Sequence, residues 1–364
     1  MRVRTTRLAG AALVAGLGIA SLAACGSTTT PAPSGPSGGG GAAAGGQKIA
    51  LLLPESKTTR YETFDKPLFE AALKASCSDC TMIYSNADQN AATQQQQAEA
   101  ALTQGASVLV LDPVDGKAAA GVVASAKSSG IPVVAYDRFI EGADYYVSFD
   151  NASVGKLQAT TLVDILKAEG KTSGDLVMIN GSPTDPNAAD FKSGAHSVLD
   201  SSGFKIAAEY DTPDWSPDKA QQWMEGQISA VKGKLVGVYA ANDGTAGGAI
   251  AALKGGGVNP LPPVTGQDSE LAAIQRILGG DQAMTIYKPI KPEAEAAAKA
   301  AVALAQKKTP EKTTDFKGVP ATILDPIAVT KDKIKDTVVK DGIYKTSDIC
   351  TSAFAKACTA AGIS

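Results

Sequence analysis

Lys234 to Ile250 reads KLVGVYAANDGTAGGAI. Its first part, Leu235 to Ala240, is a continuous apolar run of the kind that forms a strand buried on both faces. The run stops at Asn242 and Asp243, passes a Gly-rich turn, and continues as a helix from about Thr245. In an open α/β sheet, ligands bind in the crevice beyond the carboxyl ends of the strands, and Asn242 stands at such an end. The pattern recurs: IPVVAYD ends in Asp137 and Arg138, PPVTGQD ends in Asp268, and AMTIYK ends in Lys288. Four apolar runs each deliver hydrogen-bonding side chains to one end. This predicts that the ends meet around one small polar ligand.

Outward from that stretch, strands and helices alternate from Lys48 onward. KIALLLP, TMIYS, SVLVLDP, IPVVAYD and YYVSF read as strands, with helices over 67–75, 91–104 and 116–129 between them. A second series follows: helix 154–167, DLVMIN, helix 187–200, FKIAAEYD, helix 217–231, KLVGVYA, helix 245–253, PPVTGQD, helix 270–278 and AMTIYK. Repeated βα units argue for parallel, doubly wound sheets, and two similar series argue for two lobes. A helix over 292–307 and a strand near 321–327 remain. They are too few for a third domain and complete the two lobes instead. The chain therefore crosses between lobes more than once, and such a hinge beside a polar cleft is a closure device.

The 364 residues, 44% hydrophobic and 20% charged, have the balance of a globular chain long enough for two domains. A net charge of −3 leaves no basic footprint for nucleic acid. The single histidine, His196, excludes multi-histidine metal centres. It lies in the predicted helix FKSGAHSVLD, away from every strand end, which leaves a Ser-His-Asp triad without support.

The N-terminus combines Arg2, Arg4 and Arg7 with a short apolar core from Leu8 to Ala20. This is a secretory signal, too short for a stable membrane span. It ends in Leu22-Ala23-Ala24-Cys25, which resembles the lipobox of bacterial lipoproteins. That resemblance implies cleavage after residue 24 and acylation of Cys25. Ser27 to Gly46 is almost entirely Ser, Thr, Pro, Gly and Ala, a composition that behaves as a tether rather than a core. An exported protein favours disulfides. Local pairing of Cys77 with Cys80 and of Cys350 with Cys358 leaves no odd thiol in the folded part. A redox role for CSDC is weighed against this, but a redox CxxC normally opens a helix, whereas this one follows one. A zinc site from the two pairs needs the unusual spacing CxxC and CxxxxxxxC, so no metal is expected.

Seven segments in order carry a family resemblance: AYDR (135–138), VSFDN (147–151), GSPTDPNA (181–188), AANDGTAGGAI (240–250), TGQDSEL (265–271), TIYKPI (285–290) and IKDTVVKDG (334–342). They resemble the D-xylose-binding proteins of bacterial ABC transporters, within the periplasmic sugar-binding group that also holds the ribose and glucose/galactose receptors. The match runs from about residue 48 to about residue 346. It implies a type I periplasmic-binding-protein-like fold, with two Rossmann-like lobes on a multi-strand hinge closing over one pyranose. The expected boundaries are 1–24 for the signal, 25–47 for the tether, 48–150 with 288–326 for the first lobe, and 151–287 with 327–364 for the second. The resemblance implies sugar contacts from Arg60, Asp137 and Arg138 of the first lobe and from Asn187, Trp215, Asn242 and Asp268 of the second, with Lys288 at the crossover. Two positions depart from the family pattern. Tyr61 stands where it has tryptophan, and Pro186 interrupts its DNNA and removes one amide. Xylose, glucose or another aldose all remain open.

These residue types suit a sugar. Every hydroxyl both donates and accepts; carboxylates, amides and the rigid arginine fork match that pattern. Charge-assisted bonds contribute roughly 1.5–3 kcal/mol each, so several suffice for a micromolar or tighter site. Trp215, with Tyr61, offers a wall for the C–H face of the ring. Taken singly, Asp137 or Asp268 would serve as a helix cap, Asn242 as a turn residue, Trp215 as a loop anchor and Lys288 as a solvated charge. Their joint placement at strand ends favours ligand contacts. A glycosidase would need one of Asp137 and Asp268 as general acid, but Arg138 beside Asp137 keeps it ionised. A sugar-responsive transcription factor of this fold would need a DNA-binding helix pair where the signal stands. A sensory receptor without transport remains an alternative. The expected role is capture of a monosaccharide, with no cofactor and no chemistry. The monomeric, lipid-anchored protein would deliver it, at the outer face of the cytoplasmic membrane, to an ABC permease and its ATPase.

Overall fold

The computed structural model describes residues 46–363. The signal, Cys25 and nearly all of the tether lie outside the described residues. The first βα series forms β1 (Lys48–Leu53), α1 (Lys66–Ser76), β2 (Thr81–Asn86), α2 (Ala91–Thr103), β3 (Val108–Leu111), α3 (Ala119–Ser128), β4 (Val133–Tyr136) and β5 (Tyr145–Phe149). The second forms α4 (Asn151–Ala168), β6 (Asp175–Asn180), α5 (Pro186–Leu199), β7 (Lys205–Asp211), α6 (Pro217–Val231), β8 (Leu235–Ala240), α7 (Asp243–Gly255), α8 (Leu271–Gly279) and β9 (Met284–Tyr287). Then come α9 (Ile290–Ala305), β10 (Thr314–Phe316), β11 (Val319–Leu324), β12 (Ile327–Thr330), and the short tail helices α10 (Thr346–Ile349) and α11 (Ala355–Ala360).

Two α/β lobes result. One sheet has the order β10-β11-β5-β4-β3-β1-β2, parallel except for the β10–β11 hairpin. Late strand β11 pairs parallel with β5, and α9 packs its alanine face, Ala294, Ala297, Ala298 and Ala301, on Leu51, Leu53, Val108 and Val110. The chain thus returns to its first sheet after building the second. The central strands β1, β3 and β4 are buried almost residue for residue, as expected of strands covered by helices on both faces. The other lobe has the parallel sheet β7-β6-β8 and the antiparallel pair β12-β9. Its helices α4 and α5 touch backbone to backbone. A Cβ on Gly155 would stand 1.9 Å from the Phe191 carbonyl oxygen, and one on Gly194 would stand 2.0 Å from that of Ala152.

PPVTGQD, expected as a strand, makes only isolated bridges, Val264 to Val238 and Gln267 to Ile286. Pro262 and Pro263 have no N–H for a ladder. The hydroxyl of Thr265 takes the place of the main chain by accepting the Ala240 N–H at 3.0 Å. The segment still fills the gap between β8 and β9 and delivers its last residues to the strand ends.

Cys77, the C-cap of α1, is bonded to Cys80, and Cys350 is bonded to Cys358 in the tail. With Asp79, Cys77 and Cys80 form the only cluster of possible metal ligands among the described residues, and both sulfurs are committed to each other. The tail packs Ile349, Cys358 and Ile363 onto Ile274, Ile277 and Leu278 of α8. No helix among the described residues is long and apolar enough to cross a membrane.

Candidate functional site

The strand ends meet between the lobes around a narrow polar cavity of about 20 Å³. All nine residues singled out from the sequence line it: Arg60, Tyr61, Asp137, Arg138, Asn187, Trp215, Asn242, Asp268 and Lys288. Each is less than a tenth exposed. That volume is room for about one water and far below ligand cavities of about 300–1,000 Å³, so a sugar ring enters only when the lobes part.

Charge here is paired at every step. Arg60 is gripped from behind by Asp65, through Nε to Oδ2 at 2.9 Å and Nη2 to Oδ1 at 2.6 Å, and by Glu293 of α9, through Nη2 to Oε2 at 2.7 Å. The Tyr136 hydroxyl donates to the same Asp65 at 2.5 Å. This leaves Nη1 to reach Asp137 Oδ1 at 3.2 Å. Arg138 donates Nη1 to the Pro113 carbonyl at 3.0 Å and Nη2 to the Tyr61 hydroxyl at 3.1 Å, and its Nε lies 2.9 Å from Asp185 Oδ2. Lys288 Nζ is 3.0 Å from Asp268 and 3.9 Å from Asp137. Burial pushes the Asp137 carboxyl up, but Arg60, Lys288 and Arg138 outweigh it and hold the pKa at about 2. Burial lowers the Lys288 ammonium pKa, and Asp268 and Asp137 more than restore it, to above its ordinary value. Burial pushes Asp112, behind Arg138, and Glu293, behind Arg60, upward.

The backbone conformations are as unusual as the charges. Asp137, Trp215 and Asp268 have φ of +55°, +53° and +90°, in the left-handed region that residues with a Cβ seldom enter. Such strain clusters at functional sites. It also answers the capping alternatives. Neither Asp137 nor Asp268 caps a helix. Asn242 does, accepting the Thr245 N–H at 2.9 Å through Oδ1, while its Nδ2 makes no hydrogen bond among the described residues. Trp215 is both wall and anchor. Its Nε1 donates to Asp185 Oδ2 at 2.9 Å, and its ring covers Gly181, where a Cβ would lie 2.0 Å from the ring edge.

Thr58, Asp185, Phe191 and Gln267 also line the cavity, and sequence reasoning missed them. Phe191 lies four residues after Asn187 on α5, hence on the same helix face. Gln267 precedes Asp268 in the same segment. Asp185 is the N-cap of α5, accepting the Asn187 N–H at 2.8 Å, and links Trp215 to Arg138 across the lobes. His196 lies away from the cavity, between Asp200 at 2.9 Å and Glu209 at 3.3 Å.

The lobes touch on more than one side of the cavity. Asn187 Nδ2 donates to the Asp137 carbonyl at 3.0 Å, Gly116 N to the Thr184 carbonyl at 3.2 Å, and Thr59 N to Glu270 Oε1 at 3.4 Å. The Phe64 and Tyr344 rings meet edge-on at 5.5 Å. A polar cavity sealed between two α/β lobes defines a protein that encloses a small hydrophilic solute.

Comparison with known proteins agrees. Residues 49–309 match the family model described as the periplasmic binding protein domain. The chain is 39% identical over 312 residues to the D-xylose-binding periplasmic protein of Escherichia coli (strain K12), covering 83% of this chain and 92% of that one. It is 37% identical over 288 residues to the multiple sugar-binding periplasmic receptor ChvE of Rhizobium radiobacter, covering 72% and 81%. A crystal structure of a carbohydrate transporter solute binding protein from Chloroflexus aurantiacus, in complex with D-glucose, superposes with a TM-score of 0.76 at 30% identity, over 83% of this chain and 98% of that one. The chain belongs to the periplasmic sugar-binding protein family and has its type I fold.

Proposed function

We propose that this chain is the capture subunit of an ABC sugar importer. It encloses one monosaccharide, xylose or a similar aldose such as glucose, and delivers it to a membrane permease whose ATPase powers import. The observation that carries this reading is the convergence of nine charged, amide and aromatic side chains on one small cavity between two lobes. Three cations and their carboxylate partners leave no surplus charge for an anionic ligand, whereas a ring of hydroxyls can insert among paired groups, donating to carboxylates and accepting from the arginine forks.

The moving units are residues 48–150 with 288–326 and residues 151–287 with 327–364, hinged where β5, β9 and β11 lead into the next elements. The nine residues act as sugar contacts. The protein performs no catalysis: Asp137, held ionised by Arg60, Lys288 and Arg138, is a poor general acid. It works as a monomer on a lipid carried by Cys25, outside the cytoplasmic membrane, with residues 25–47 as tether.

The test is calorimetric titration with a panel of aldoses, one alditol and one glycoside. Saturable one-site binding of xylose or glucose, lost in Asp268→Ala, supports the reading. Absence of heat with every monosaccharide overturns it.

A further inference from the structure

Four glutamines are buried: Gln94, Gln158, Gln267 and Gln282. Three are tied into the scaffold. Gln94 donates to the Asp112 carbonyl and accepts the Val114 N–H, both at 2.8 Å. Gln158 donates to the Ala240 carbonyl at 2.5 Å and to Thr265 Oγ1 at 2.8 Å. Gln282 donates to Asp243 Oδ1 at 2.8 Å and accepts from Arg276 Nε at 2.9 Å.

Gln267 differs. It is 2% exposed, its Oε1 has no partner, and its side chain makes no hydrogen bond among the described residues. Its backbone is fixed: it bridges to Ile286, and its carbonyl accepts the Asp243 N–H at 2.9 Å. Its side chain lines the cavity beside Asn242 and Asp268. Buried polar groups are almost always paired, and each exception calls for an explanation. A leucine or methionine would fill this volume without an unpaired amide. The three other glutamines each make at least two side-chain hydrogen bonds, although Gln158 Oε1 is also without a partner; the Gln267 side chain makes none among the described residues.

The explanation rests on the sugar-capture reading above. We propose that Gln267 contacts the bound sugar and sets selectivity, its amide pairing with one ring hydroxyl by accepting through Oε1 and donating through Nε2. Its situation differs from that of the charged residues. Asp137 and Asp268 must share their oxygens between the ligand and Arg60 or Lys288, so a bond gained there is offset by an ion pair weakened. Gln267 has no internal competitor. An analogue lacking the hydroxyl leaves the amide unpaired, which is how a buried polar group discriminates.

The experiment titrates the full chain and its Gln267→Met and Gln267→Leu variants with the tightest-binding aldose and each of its monodeoxy analogues, alongside thermal unfolding of the unliganded proteins. The unaltered protein is expected to bind one monodeoxy analogue at least about tenfold more weakly than the parent. In Gln267→Met that discrimination shrinks to about threefold or less while the discriminations at other positions persist, and the unliganded variant unfolds no lower than the unaltered protein. Undiminished affinity for the parent sugar, or a loss that leaves the discrimination pattern intact, overturns the proposal. If neither apolar variant folds, Gln267→Asn, one methylene shorter, is expected to lose discrimination at the same hydroxyl, and an unchanged profile overturns the proposal. Failure of the unaltered protein to bind any monosaccharide removes the capture reading and this proposal together; binding that survives unchanged in Gln267→Met removes this proposal alone.

Discussion

Lys288 Nζ lies 3.0 Å from Asp268 Oδ1, with both side chains about 95% buried. The lysine belongs to the turn after β9, and the aspartate to the irregular segment beside it. Their ion pair, with Asp137 at 3.9 Å, fixes the geometry where the lobes meet. Removing one member of a buried pair typically costs about 3–5 kcal/mol, because the other is left charged without a partner. Lys288→Met is therefore expected to lower unfolding free energy by about 3 kcal/mol or more, measured by urea denaturation without ligand. Lys288→Met with Asp268→Leu should recover part of that loss; a single variant as stable as the unaltered protein would contradict the pairing.

Arg60 is held by three carboxylates, those of Asp65, Asp137 and Glu293. Lysine offers a point charge without the fork, so Arg60→Lys is not conservative. The expected result is a loss of monosaccharide affinity of about 10- to 100-fold, equivalent to about 1.4–2.8 kcal/mol, read by calorimetry at constant pH. Glu293→Gln, which loosens the guanidinium from behind, should produce a smaller loss in the same direction.

Gly181→Ala tests the aromatic wall without altering any polar group. Its Cβ would stand 2.0 Å from the Trp215 ring, so the ring must move and its bond to Asp185 must stretch. Overpacking of this kind costs about 1–3 kcal/mol. Both melting temperature and sugar affinity should fall, and near-ultraviolet circular dichroism should report the displaced indole.

Stability should fall as pH rises through the range set by Glu270. Burial, reinforced by Asp268, pushes its carboxyl from the ordinary 4.5 to about 7, against the pull of the Thr59 N–H and Arg276. The folded protein thus prefers protonated Glu270. Its contribution is intact below about pH 4.5, the unfolded value, and is lost as pH rises through 7. Urea midpoints at about pH 5 and about pH 8 should differ less in Glu270→Gln than in the unaltered protein. An identical difference in both would exclude Glu270 as the source.

Much of this was legible in one dimension. KLVGVYAANDGTAGGAI specifies strand, turn and capped helix locally, because apolar runs bury and Asn242 caps the helix through its own side chain. The strand-end positions of Asp137, Arg138 and Lys288 follow from the same periodicity. PPVTGQD did not follow it: its prolines lack an N–H, and the Thr265 hydroxyl replaces one ladder acceptor, a substitution visible only once β8 lies alongside.

The sequence by itself determined which residues end strands, because hydrophobic periodicity and turn chemistry act over a few neighbours. Tertiary structure alone decided which of those ends face each other and how their charges pair. Arg60 finds Glu293 across 233 positions, and Asp137 is held ionised by residues from three separate segments. It also decided that Gln94, Gln158 and Gln282 are tied into the scaffold while Gln267 is left unpaired at the cavity wall. The reason is physical: hydrogen bonding and desolvation depend on distances between atoms that the chain brings together only when both lobes are folded.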